Sequence, residues 1–83
     1  MPPSLRSARH KRLAELLAQY REAAGLKQSD LAAKLGRHQP FVSNIEAGER
    51  KLDLVELLDL AEALGFDPRE LIGALLEVPR RSD

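Results

Sequence analysis

GRHQPFVSNIEAGER, residues 36–50, decides how the rest of the chain is read. Val42 and Ile45 form an apolar pair three apart, the spacing of one helix face. Gln39, Ser43 and Asn44 fall on the other side of the same pattern. Short amides and hydroxyls form helix less readily than Lys, Glu or Ala, so a merely solvated face would be built from those instead. Pro40 fits only in a first helical turn, where its missing N–H has no partner to lose. Gly48 supplies the stop. The stretch predicts a helix from about Gln39 to Ala47 that presents flat, neutral hydrogen-bonding groups outward.

Immediately upstream, Leu31, Ala32 and Leu35 mark one face of a short helix over about Gln28 to Leu35, halted at Gly36. Only Gly36-Arg37-His38 separates the two helices, the short connection of a helix-turn-helix. Further out, Leu13, Leu16, Leu17, Tyr20 and Ala24 repeat at helical spacing, so a first helix runs from near Ser7 to Gly25. Asp53 reads as an N-cap, followed by Leu54, Leu57, Leu58, Ala61 and Leu64 up to Gly65. Asp67-Pro68-Arg69-Glu70 starts a fifth helix through Leu71, Ile72, Leu75 and Leu76. No strand pattern or repeat appears. The predicted fold is all-α: a compact five-helix bundle, one domain over residues 7–78, with tails at 1–6 and 79–83.

The chain has 83 residues, 43% hydrophobic and 31% charged, enough for one small globular core. It contains no cysteine, which removes disulfides and thiolate chemistry. No apolar run has the length of a membrane span, and the expected setting is soluble and cytoplasmic. Net charge is zero, but residues 1–52 hold ten Lys/Arg against five Asp/Glu while residues 53–83 hold three against eight. One half is basic and the other acidic, and only the basic half suits a polyanion.

The run RxxxGLxQxxLAxxLGxxxxxVSxIExGER, then LxxLLxLAxALGxxPxEL, from Arg21 to Leu71, resembles the phage-repressor and Cro type of helix-turn-helix domain, the xenobiotic-response-element family. The resemblance covers Leu13 to Leu76 and implies a lambda-repressor-like fold that binds double-stranded DNA. The second motif helix then enters the major groove, where planar amides match base edges. On that resemblance Gln39, Pro40, Ser43 and Asn44 face bases. Gln28, Arg37, His38, Phe41, Arg50 and Lys51 face the DNA backbone, Gln28 helped by its helix N-terminus. Arg21 and Glu46 match a structural ion pair between the first and third helices. Three positions depart from the family pattern. Pro40 offers apolar contact only, Ala47 replaces a commonly polar residue, and His38 stands where Ser or Thr usually caps.

Lone domains of this kind read longer sites by dimerising, and Ile72, Leu75, Leu76 and Val78 are the expected dimer surface; the same residues would otherwise complete the core. The expected function is a sequence-specific transcriptional regulator, a homodimeric repressor or autoregulator on an inverted-repeat operator. The alternative is an antitoxin-type or adaptor module that uses the fold to hold a protein partner. Enzyme chemistry lacks its parts: there is no paired nucleophile and base and no phosphate-cradling glycine loop. His10 and His38 have no second ligand at a useful spacing, and read as an exposed residue of the first helix and a turn residue. No metal, cofactor or small-molecule ligand is expected.

Overall fold

The computed structural model describes residues 7–79. The predicted tail 1–6 lies outside them, as do residues 80–83 of the other tail. Five helices follow in order, α1 (Ala8–Ala23), α2 (Gln28–Leu35), α3 (Gln39–Glu46), α4 (Leu54–Leu64) and α5 (Pro68–Leu76), with no strand among the described residues. The all-α expectation holds, and each predicted helix is present within a residue or two of its predicted ends.

Capping chemistry sets those ends. The Ser7 hydroxyl accepts from the His10 N–H at 3.0 Å and opens α1. Asp53 and Glu56 form a reciprocal capping box at α4: Glu56 N–H donates to Asp53 at 2.7 Å and Asp53 N–H to Glu56 at 3.1 Å. Asp67 accepts from the Arg69 N–H at 2.9 Å, with Pro68 as the first residue of α5. Gly36 closes α2 in the left-handed region at φ 67°, so the chain reverses at once and Arg37 N–H returns to the Ala32 carbonyl at 2.9 Å.

The core draws on all five helices: Leu16 and Leu17, Leu31 and Ala32, Val42 and Ile45, Leu57 and Leu60, and Leu71. Helix α2 packs on α3 and α4, α1 on α3 and α5, and α4 on α5. Ala32 is 2% exposed, and only a small side chain lets α2 and α3 approach so closely there. Tyr20 of α1 stacks on Phe66 in the α4–α5 connection, ring centroids 4.1 Å apart, and seals one edge.

The structure corrects the apolar stripes in detail. In α1, Ala14 is buried and Ala24 is exposed, because Ala24 caps the helix beyond its last packed turn. In α4, Leu57, Leu60 and Ala61 form the buried face, while Leu54 is 64% exposed, Val55 66% and Leu58 45%. Helix α4 is apolar around more of its circumference than the core covers. The expected dimer surface on α5 divides in the same way. Ile72 (43%) and Leu76 (67%) are exposed, whereas Leu75 packs against the core and Val78 is half-buried. The Val78 carbonyl accepts from Arg9 Nε at 3.0 Å, which ties the end of α5 to the start of α1. His10 is not the exposed residue expected: it is half-buried and its Nε2 is shut from solvent without a hydrogen-bond partner among the described residues.

Candidate nucleic-acid interface

Val42 and Ile45 lock α3 into the core at 2% and 4% exposure, and this fixes which residues α3 turns outward. Gln39, Pro40 and Asn44 are exposed and Ser43 is half-buried, so the four predicted base-facing residues share the outer side of α3. The Ser43 hydroxyl turns back to the Pro40 carbonyl at 3.4 Å, which leaves its oxygen an acceptor for an outside donor. Asn44 carries no internal side-chain hydrogen bond among the described residues.

Behind this face a chain of hydrogen bonds runs inward. Gln39 Nε2 donates to Gln28 Oε1 at 3.3 Å, and Gln28 Nε2 donates to Glu46 Oε1 at 3.0 Å. Arg21 closes the chain with two parallel bonds to Glu46, at 2.6 and 3.0 Å, and a third to the Leu26 carbonyl at 2.7 Å. The expected ion pair between the first and third helices is therefore present, its side chains 13% and 9% exposed. Its hydrogen bond to Glu46 raises the pKa of the Arg21 guanidinium, against the opposing effect of burial.

The chain of donors also fixes the sense of each amide. Glu46 is acceptor-only, so Gln28 must turn its NH2 inward and its carbonyl toward Gln39. Gln39 then spends one N–H on Gln28 and keeps outward its carbonyl oxygen and its second N–H. That donor–acceptor pair is the complement of an adenine edge in the major groove.

The predicted backbone-facing residues gather in two groups. Gln28 stands at the first position of α2, whose N-cap is Lys27, a side chain with no acceptor to offer the first-turn N–H groups. Those donors suit a phosphate, which would share the terminus with the Asp30 carboxylate that accepts from the Lys27 N–H at 2.9 Å. The Gln28 side chain, expected to anchor that phosphate, is instead engaged with Glu46 and Gln39, so the backbone is the better anchor. In the second group the Arg37 and Arg50 guanidinium carbons lie 4.2 and 4.6 Å from the Phe41 ring centroid, cation–π contacts that order both side chains. His38 caps α3 with no side-chain hydrogen bond and is exposed, as is Lys51.

Glu56 is the residue that sequence reasoning missed. Arg50 makes two bonds to its carboxylate, each 3.0 Å, and Arg37 one at 3.2 Å. Hydrogen bonds from Arg50, then from the Asp53 N–H, hold the Glu56 carboxyl at a pKa of about 2, against an opposing effect of burial. The available signal was the Asp53-x-x-Glu56 capping spacing, which predicts an acid at the start of α4 but not the arginines it meets.

A family model described as a helix-turn-helix domain matches residues 12–75. The chain belongs to the helix-turn-helix family. The uncharacterized HTH-type transcriptional regulator y4dJ of Sinorhizobium fredii is 36% identical over 62 residues, which cover 75% of this chain and 80% of that protein. Among solved structures, an XRE-family like protein from Pseudomonas syringae pv. tomato shares 46% identity and a TM-score of 0.77, covering 83% of this chain and 84% of its own. The restriction-modification controller protein C.AhdI from Aeromonas hydrophila shares 40% identity and a TM-score of 0.68, covering 72% and 87%. This helix-turn-helix protein is thus of the XRE/Cro type, with α2 and α3 as its motif helices.

Proposed function

We propose that this helix-turn-helix protein is a transcriptional regulator that binds double-stranded DNA at a specific operator, as a homodimeric repressor or autoregulator acting in the cytoplasm. The observation that carries the reading is the outward Gln39 amide, oriented through Gln28 and Glu46 to the half-buried Arg21. A side chain ordered before binding loses less entropy on binding, and a fixed amide discriminates between base edges. Gln39, Pro40, Ser43 and Asn44 then read bases. The α2 N-terminus at Gln28, with Arg37, His38, Phe41, Arg50 and Lys51, meets the sugar–phosphate backbone. No helix among the described residues is long and apolar enough to cross a membrane.

Two copies reading half-sites about 34 Å apart give an inverted repeat. The exposed Leu54, Val55, Leu58, Ile72 and Leu76 supply the apolar surface for pairing. The same patch also favours a second reading, a regulator of the antitoxin type that holds a protein partner there. Selection of bound sites from a random duplex pool tests both. Enrichment of an inverted repeat, lost in Gln39→Ala, supports the operator reading; a pool left random by folded protein transfers the proposal to the partner reading.

A further inference from the structure

The α2–α3 turn and the α3–α4 connection bring two arginines of the proposed DNA face, Arg37 and Arg50, onto one carboxylate. Arg50 has both terminal nitrogens engaged, one shared between Glu56 and the Lys51 carbonyl at 2.8 Å. Arg37 reaches the same Glu56 oxygen as Arg50. The Glu56 side chain is 13% exposed, against 46% for Arg37 and 36% for Arg50. A fourth donor, the Asp53 N–H, holds the carboxylate from its own helix. Two positive charges and one negative charge therefore act on an approaching phosphate as a single positive charge.

We propose that Glu56 is a specificity-determining positioning residue: it withholds the charge of Arg37 and Arg50 from DNA of arbitrary sequence and so weakens non-specific binding more than operator binding. This inference rests on the DNA-binding reading above. Non-specific affinity is mainly a count of neutralised phosphates, and each contributes about 0.9 to the slope of log K against log salt. A guanidinium already paired with a carboxylate releases fewer counterions when it meets a phosphate. On an operator, base contacts at Gln39 fix the register, and the paired arginines still supply aimed N–H groups at defined phosphates. The pairing thus costs most where affinity is charge alone. The Asp53 capping interaction explains why the carboxylate stays in place, and the Phe41 ring explains why both guanidiniums stay beside it.

The test is a salt titration of wild type and Glu56→Gln on two duplexes, one carrying the selected operator and one of scrambled sequence. Glutamine keeps an acceptor for the Asp53 N–H and removes the charge. The expected result is about threefold to tenfold tighter binding of the scrambled duplex, a slope steeper by about 1 to 2 per protomer, and a smaller gain on the operator. Unchanged or weaker scrambled-duplex binding with an unchanged slope overturns the inference. A second measurement does not depend on Glu56→Gln folding well. Arg37→Gln in the wild-type background is expected to lower the scrambled-duplex slope by less than about 0.5, and a full decrement of about 0.9 overturns the inference. Wild-type protein that binds neither duplex overturns the DNA-binding reading itself, and this inference with it.

Discussion

Glu46 holds together two jobs that are separable by mutation. With Arg21 it forms a nearly buried bidentate pair, and through Gln28 it orients Gln39. Removing one member of a pair this little exposed leaves the other charge poorly compensated, which costs about 3 kcal/mol, the low end of the range for a fully buried pair. Glu46→Ala is therefore expected to lower unfolding free energy by about 3 kcal/mol in urea denaturation. Gln28→Ala acts differently. It leaves the ion pair intact and removes only one neutral donor from Glu46, so stability falls by about 1 kcal/mol, while Gln39 loses its acceptor and operator affinity falls by about threefold to tenfold, the size of one modest hydrogen bond. Equal losses of stability in the two variants would sink this division. The Arg21–Glu46 pair was visible in the sequence because both residues sit inside a recognisable motif. The Gln28–Gln39 contact and the Arg37–Glu56–Arg50 cluster were not, since nothing in the local pattern reports which side chains meet across 11 or 19 residues.

At the level of the helices, boundaries were readable because they are set locally, by Ser7, Asp53 and Asp67 as caps and by Gly36 and Gly65 as left-handed stops. Burial was less readable. Leu54 and Leu58 have the spacing of a core face, yet α4 turns Leu57, Leu60 and Ala61 inward, and only its neighbours decide which of two apolar faces is covered. Two predictions belong here. Gly73 lies in α5 with nothing within 4 Å of where a Cβ would stand, so Gly73→Ala is expected to stabilise the protein by about 0.5–1 kcal/mol through the lower entropy of the unfolded chain. Equilibrium denaturation checks it. The second concerns Glu56, whose carboxyl falls from an ordinary 4.5 to about 2 in the fold. A depressed folded-state pKa stabilises the ionised form, so this contribution is complete above about pH 4.5 and is lost as pH falls toward 2. The difference in Tm between wild type and Glu56→Gln should be constant near neutrality and shrink below pH 4.5. A difference that grows on acidification would contradict the assigned cause.

Across the whole molecule, the uneven charge of the sequence is modified by the fold. Residues 1–52 carry an excess of five positive charges, yet Arg37 and Arg50 of that half are answered by Glu56 from the acidic half. Charge alone then offers little affinity to a single domain, which makes pairing of two domains on one duplex the natural source of a tight complex. The pairing surface we propose lies on α4 and α5 together rather than on α5 alone, because Leu75 is used inside the domain while Leu54, Val55, Ile72 and Leu76 are exposed. Leu54→Glu and Leu76→Glu are surface changes, so each is expected to leave helix content and thermal unfolding of the monomer nearly unchanged. Each introduces a charge that would have to be desolvated on pairing, and sedimentation should show a shift from dimer to monomer. With the recognition residues intact, half-site binding persists, while affinity for the full inverted repeat falls by at least about a hundredfold through loss of the linked second site. A Leu76→Glu protein that remains dimeric with full operator affinity would move the pairing surface elsewhere. A monomeric variant with full operator affinity would instead show that one domain reads the site alone, and would leave the exposed face of α4 and α5 to a different protein partner.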